Sequence, residues 1–547
     1  MAILLTKAGR VELARSFHRD IQNNFDYYHF ALSKTTEWDD EESPDTPLDS
    51  EKYLKDFKNN IMFTQTVSSA DICHLVRRID WDPSEEGTTY DPYDDDYSAD
   101  SPAPSGATSL ADANFYVITD ELKVYKCIDN NSNAKSTVKP TSTSTNIFIL
   151  ADGYTWKFLF QVSAADETKF LDAEHIPVRK LTGNPKFDVN GKIDSIEVTK
   201  GGSGYDPLNP PTVNILGDGR VKDNNGNPIP LASATAVVTG DEVTSIVVDE
   251  PGSGYSFANI VFSGEDGGSG ATASVTLGIV DPNPSAQTDV EGAAIPGTID
   301  RIIVNDVGQD YTDGDVTVTI TGDGSGAEAT VTISAGTGAI TAVNITDVGT
   351  GYTYANITFT QAEGIGTGAT ARAVLSPIDG HGNNPVKELF GATVGIVTSL
   401  ADNANEDLIL NNDFRQLGLV KNFYNYAKTV IWTQNSASAL FIIDVDSVAS
   451  YEEDDIITTD DGGEFRVIQS TDDSSGTFQV HLQAITPLIT ASSTLSNTTQ
   501  GISGLSINSV KEPEISTSTG DVVYIENRPA ISRSLDQVET IKALVNF

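Results

Sequence analysis

A tyrosine set behind a glycine turn recurs four times in this chain, and it commits the region that carries it to β structure. Gly202-Ser203-Gly204-Tyr205 returns as Gly252-Ser253-Gly254-Tyr255, as Gly308-Gln309-Asp310-Tyr311 and as Gly349-Thr350-Gly351-Tyr352, the tyrosines 50, 56 and 41 residues apart. A second motif follows three of them by 16 or 17 residues from Tyr to Ala: Gly268-Ser269-Gly270-Ala271, Gly324-Ser325-Gly326-Ala327 and Gly366-Thr367-Gly368-Ala369. The first unit has a longer excursion, residues 217–230, and keeps only Ala234-Thr235-Ala236. Val316, Val318 and Ile320 fall on one face and Thr317, Thr319 and Thr321 on the other, a period of two that belongs to strands. Glycine at the turns permits positive φ, and small Ala and Thr let neighbouring sheets approach. Each unit therefore reads strand, glycine turn, strand, glycine turn, strand, with its apolar face buried against the next copy.

The flanking sequence has a different character. Leu4, Leu5, Ala8, Val11, Ala14, Phe17 and Ile21 recur at helical spacing and predict an opening helix over residues 4–21, then a strand over 27–32. Residues 35–50, with Asp39-Asp40-Glu41-Glu42 and two prolines, read as a solvated loop. Two short β runs around Asp120-Glu121 make residues 115–129 a hairpin. In residues 153–162, Tyr154, Trp156, Phe158, Phe160 and Val162 line one face of a core strand. Residues 429–446 and 463–482 alternate as strands, and 492–509 are polar, which marks a second, smaller β insertion. In the closing stretch, residues 521–526 are a strand that Asn527-Arg528-Pro529 breaks. Ile541, Ala543, Val545 and Phe547 then share one face of a last strand, clamped inside a larger body.

Arg77-Arg78-Ile79-Asp80-Trp81 is a candidate for gripping a partner, because an Arg pair beside Asp and Trp offers a fork for carboxylates and a stacking surface. The alternative is an internal salt bridge beside a core Trp. Tyr524-Ile525-Glu526-Asn527-Arg528-Pro529, followed by Asp536-Gln537 and the final apolar strand, resembles the C-terminus of the baseplate wedge subunit of T-even-like contractile-tailed bacteriophages. The resemblance continues elsewhere in the same order. Arg77-Arg78 near Asp80-Trp81 and then Asp91-Pro92-Tyr93 follow the family, although Ile79 interrupts this copy. Val124-Tyr125-Lys126-Cys127-Ile128-Asp129, residues 153–162 and Phe414-Arg415-Gln416-Leu417-Gly418-Leu419-Val420 match further segments. The repeats and the second insertion lie outside the resemblance.

The resemblance implies a β-sandwich flanked by smaller α/β parts, self-association as a homodimer, and contacts with other baseplate wedge proteins. It implies a structural role in the virion: holding neighbouring baseplate subunits together and rearranging with them on tail contraction. Interfaces of that kind rest on a few aromatic and Arg anchors, here Arg77, Arg78, Trp81 and Arg528. The rival expectation is a receptor-binding fibre or adhesin whose repeats contact host-surface glycan, with a glycan-cleaving enzyme third.

Composition narrows the remaining classes. With 78 Asp+Glu against 34 Lys+Arg the net charge is -44, and residues 193–375 alone carry 23 acidic against 5 basic side chains, so nucleic acid is not an expected partner. No apolar run approaches the roughly 18 residues of a membrane span. Basic residues from Lys7 onward follow the apolar start too soon for a signal-peptide core, so synthesis and folding in a host cytoplasm are expected. Cys73 and Cys127 read as buried small hydrophobes. Residues 201–209 fit a calcium β-roll nonapeptide once, but the other copies lack its Asp. Metalloprotease, phosphate-loop and nucleophile-elbow motifs are absent from the sequence, and the six histidines show no ligand spacing. A non-enzyme with neither cofactor nor metal is expected.

The fold expected is mainly β on an α+β framework: a β-sandwich core with small α/β parts, an inserted stacked β-repeat module and a second small β insertion. The framework would take residues 1–190, 377–428 and 511–547, the four repeats 191–376 and the second insertion 429–510.

Overall fold

The computed structural model describes residues 5–24, 27–84, 87–97, 102–182, 191–219, 230–255, 257–264, 267–278, 284–362, 364–400, 413–445, 451–472, 478–532 and 539–547. Leu4, most of the 217–230 excursion and Asp536-Gln537 lie outside them. The described chain is mainly β.

Segments remote in sequence interleave in two antiparallel sheets. One runs, in spatial order, Ser436–Ser438, Ile61–Thr66, Tyr28–Ser33, Asp413–Lys421 and Asp521–Ser532. The other runs Glu539–Asn546, Thr393–Leu400, Ile72–Arg77 and His175–Val178. They share one apolar core, in which Phe30, Phe63, Leu417 and Leu419 of the first meet Val394, Ile396, Ile541 and Ala543 of the second. The helix Lys7–Asn23 packs Ala14 and Ile21 against this core. Its first turn is capped by the Thr6 hydroxyl, which accepts from the N–H of Gly9 at 3.1 Å. Phe17 of this helix meets Phe547 with ring centroids 5.4 Å apart. The last strand alternates as its sequence requires: Ile541 and Ala543 are buried, and Val545 and Phe547 pack beside them.

The structure corrects three expectations. Asn527-Arg528-Pro529 does not end its strand, which runs unbroken over Asp521–Ser532. Proline is tolerated because this strand is the sheet edge and the ladder slips there, Gln416 facing Asn527 but Phe414 facing Ile531. The aromatic row of residues 153–162 is divided, with Tyr154, Trp156 and Phe158 in one core and Phe160 and Val162 in another. A bulge is the cause, since Tyr125 pairs with Phe158 but the adjacent Val124 pairs with Phe160, which flips the alternation and buries Leu159 as well. The loop over residues 35–50 is not simply solvated, because Trp38 and Glu41 bond to framework strands. The predicted hairpin is present, Tyr116–Ile118 against Lys123–Asp129, and Thr155–Gln161 extends it.

The repeats close in pairs. The strands of the first unit are Ile193–Lys200, Thr212–Gly217 and Ser233–Thr239, and those of the second are Glu242–Glu250, Ala258–Ser263 and Thr272–Leu277. First pairs with last, second with fifth, and third with fourth. Ile299–Asp306, Val316–Gly322, Ser325–Ile333, Ile340–Thr350, Ala355–Gln361 and Thr370–Leu375 repeat the scheme. Each pair of units thus has internal two-fold symmetry and its own core. Between the pairs lies the helix Pro284–Ala293, whose Val290 enters the framework core beside Trp156.

Each tyrosine plugs the partner unit. Tyr205, Tyr255 and Tyr311 accept, through their hydroxyls, the N–H of Ala271, Ala232 and Ala369 at 3.3, 3.0 and 3.3 Å. The second motif needs glycine because a Cβ on Gly324 would sit 2.4 Å from Cγ of Tyr352. The residue before each tyrosine is left-handed, and in the third unit Asp310 takes that conformation at φ 62°. Asp206, the nonapeptide's acid, accepts hydrogen bonds within its own turn from Leu208 and Asn209.

The second insertion forms a seven-stranded sheet over its own core of Phe441, Ile457, Phe465, Val467, Val480 and Leu482. Its polar segment supplies the hairpin Thr494–Asn497 and Ile502–Ser506.

Candidate functional site

The tail motif and the segment around residue 415 meet on the edge strand, under the loop that carries the acidic quartet. Gln416 donates to Tyr53 Oη at 3.0 Å and to Asn527 Oδ1 at 2.9 Å, and Tyr53 donates to the same Oδ1 at 2.8 Å. Asn527 Nδ2 reaches the carbonyl of Asp45 at 2.7 Å. Trp38 Nε1 donates to the carbonyl of Arg528 at 2.9 Å. Glu41 accepts from Arg415 Nε at 2.9 Å and from the N–H of Ala530 at 3.3 Å. The bulge opposite Arg415 thereby has its freed backbone groups satisfied by loop side chains.

Arg528 points away from this knot. Its Nη2 donates to the carbonyl of Lys542 at 2.7 Å and to Glu526 at 3.2 Å. Lys542 in turn donates through Nζ to Asp172 Oδ2 at 2.5 Å, and Arg78 Nη1 reaches the carbonyl of Asp172 at 2.8 Å. Arg78 and Arg528, 450 positions apart in the numbering of the chain, are thus joined through Asp172 and Lys542. Burial works against the charge of Asp172, but the Lys542 ammonium and the N–H groups of Glu174 and His175 hold its carboxyl down at about 2.

Arg78 also chelates Asp80, with Nε and Nη2 at 2.9–3.1 Å. Two residues apart in extended chain, they fall on one side, while the intervening Ile79 packs into the cores beneath. Arg77 is exposed, and its Nη2 donates to the carbonyls of Asp112 and Ala113 and to Asn114 Oδ1 at 3.2, 3.0 and 2.9 Å. Trp81 lies half-buried over the hairpin core and donates through Nε1 to Ser136 at 3.1 Å. The internal ion pair is therefore present, and Arg77 and Trp81 stand apart from the link joining Arg78 and Arg528.

Sequence reasoning missed the most heavily charged interior cluster. Lys126, in the middle of the hairpin strand Lys123–Asp129, donates to Glu388 Oε1 at 2.6 Å and lies 2.8 Å from His381 Nδ1 and 3.3 Å above the Tyr93 ring. His381 Nε2 meets Asp300 of the third repeat unit at 2.6 Å, and the N–H of Gly382 donates to Glu388 at 2.7 Å. Such a set has the composition of proton-transfer machinery, yet side-chain exposure is 0% for Lys126, 3% for Glu388, 5% for His381 and 2% for Asp300, so solvent does not reach it. Its effect is to fix the hairpin, the repeats and the returning chain in one arrangement. Arg301 and Arg372, both on Asp94, extend the junction. The signal in the sequence was a lysine at the centre of an otherwise apolar strand.

Two further junctions tie the insertions to the framework. Asp194 of the first repeat strand accepts from Ser68 at 2.6 Å and from the N–H of Ala70 at 3.0 Å, while Gln65 donates to Glu197 at 3.1 Å. Burial, with the nearby Asp71 carboxylate, pushes Glu197 up to about 7. Lys34, 2% exposed, pairs with Asp413 at 3.0 Å and with Glu453 of the second insertion.

Among the described residues no three His, Cys, Asp or Glu side chains group in a way that could hold a metal ion, and no helix is long and apolar enough to cross a membrane. No protein-family model matches this chain, and no curated protein matches it in sequence.

Proposed function

We propose that this protein is a structural component of the tail baseplate wedge of a contractile-tailed bacteriophage, acting by holding neighbouring subunits in a fixed arrangement. One observation carries the reading: the segments that resemble the wedge family, far apart in the chain, meet in one body, Gln416 bonding Asn527 directly with Tyr53 and Glu41 bridging beside them, and Arg78 joined to Arg528 through Asp172 and Lys542. A family signature scattered over a chain gains weight when its parts form one body.

On this reading the protein resides in the virion, forms a homodimer and contacts other wedge proteins, with exposed Arg77 and half-buried Trp81, both outside the link from Arg78 to Arg528, as its anchors. The acidic repeats ride on the framework through their ionic junctions. The adhesin reading has less to draw on, since the four repeat tyrosines are buried and not free to stack on a sugar.

Co-expression of the full chain with wedge proteins from its own phage tests the proposal. A stable co-purifying complex, weakened by Arg77→Ala with Trp81→Ala, is the expected outcome. Failure to associate with any of them, together with saturable binding to host-surface glycan, would overturn it.

A further inference from the structure

A cleft of about 500 Å³ opens between the helix Lys7–Asn23 and the chain that follows the strand His175–Val178. Its walls are cationic, in a protein of net charge -44: Arg15, Arg19, Arg179 and Lys180 line it, and Glu12 is the sole carboxylate among its described lining residues. Arg15, His18, Arg19 and Gln22 fall at the i, i+3, i+4 and i+7 spacing of one helix face, which delivers them all to the same side.

The cations differ in what already occupies them. Arg179 is chelated by Asp166 and donates to the carbonyl of Ile72 at 2.8 Å. Lys180 donates to the carbonyl of Asn383 at 2.6 Å. Arg15 holds Glu12 at 2.8 and 2.9 Å, so the rim already takes a carboxylate from within the chain. Arg19 is exposed and has no ion pair among the described residues. At the floor, His18 is 8% exposed, and its Nε2 has no hydrogen-bond partner among the described residues. Burial first, then the neighbouring His74 and Arg179, keep that ring neutral. That nitrogen is closed off from solvent, so the groups open to a ligand are the guanidiniums at the rim.

We infer that this cleft binds an acidic segment of a partner protein, one carboxylate seated at the Arg15 and Arg19 guanidiniums. Guanidinium forks match carboxylates in shape as well as charge. The opening admits a few side chains of a peptide, whereas a nucleic acid extends far beyond it and meets a chain of net charge -44. Salt screens charges beyond about 8 Å, so a short segment responds to the local cations and not to the net charge. The inference is independent of the wedge reading, and its test needs no wedge protein.

The probe is a fluorescein-labelled hexapeptide of glutamates flanked by glycine, titrated against the full chain and followed by anisotropy at physiological salt. Saturable binding is expected, weakened about tenfold or more in Arg15→Gln with Arg19→Gln. Arg19→Gln alone, at an exposed position, weakens binding without altering the thermal melt. No binding, or binding equal in native and variant proteins, would overturn the inference. Full displacement of the peptide by equimolar inorganic phosphate or free succinate would also overturn it, by making the cleft a small-anion site. Displacement by neither supports it.

Discussion

Lys126→Met takes the cation out of the sealed cluster while nearly conserving side-chain volume. In the native protein burial opposes the charge of Glu388, yet Lys126 and His381 hold its carboxyl at about 2 against an ordinary 4.5. That difference is worth about 3 kcal/mol of native stability. Because the folded value lies below the unfolded one, the contribution is fully present above the ordinary 4.5 and is lost as pH falls toward 2. The partner's account differs in sign, for burial lowers the pKa of Lys126 and makes its charge costly. Both hold: the pair is worth little against an apolar replacement, and breaking it is expensive.

Hydrogen exchange of the Lys123–Asp129 amides is the suitable assay, since a chain with several cores does not unfold in one step. At neutral pH, Lys126→Met is expected to speed exchange about a hundredfold. Adding Glu388→Gln restores most of the protection. The penalty of the single variant, relative to native protein at the same pH, shrinks on acidification as the orphaned carboxylate takes a proton. Exchange within a few-fold of native, or equal in single and double variants, would refute the claim that these charges are tightly coupled.

Tyr255→Ala is expected to destabilise the first two-unit repeat body by about 3–5 kcal/mol, while Tyr255→Phe, losing only the bond from Ala232, costs about 1 kcal/mol. Limited proteolysis should show cleavage confined to that body. Lys34→Met takes one of two cations from Asp413, Arg415 remaining at 2.5 Å, at a cost of about 1.5–3 kcal/mol, read as faster exchange in Asp413–Lys421. Glu197, raised to about 7, favours the folded junction in its protonated form, so docking of the first repeat body weakens as pH rises from the ordinary 4.5 through 7. Glu197→Gln should flatten that pH profile of protection in Ile193–Lys200.

Local chemistry announced most of the elements. Period-two patterns identified the last strand and the repeat strands, and the glycine motifs identified the turns, because these depend on near neighbours alone. Two features depended on a distant partner and were hidden. The proline at 529 reads as a breaker until its strand is known to be a sheet edge, and the row from Tyr154 to Val162 reads as one face until Val124 and Tyr125 show the slip. Burial of Cys73 and Cys127 was legible because thiols without ligand spacing behave as small hydrophobes. The ionic junctions were not, since Lys126, Asp300, His381 and Glu388 lie in three separate stretches and nothing in their spacing brings them together. For Arg77, Arg78, Trp81 and Arg528 the sequence offered contacts to a partner protein, with an internal salt bridge as the alternative for the Arg pair; the structure shows the Arg78–Asp80 pair and further bonds within the chain to residues too distant for spacing to reveal.

The most direct measurement is an image of the intact phage tail resolved well enough to trace this chain. The account predicts density for the two-sheet framework within the baseplate, packed against neighbouring subunits, with the paired repeats carried outward on it. Finding the chain only at the tip of a fibre, or not in the tail at all, would contradict it.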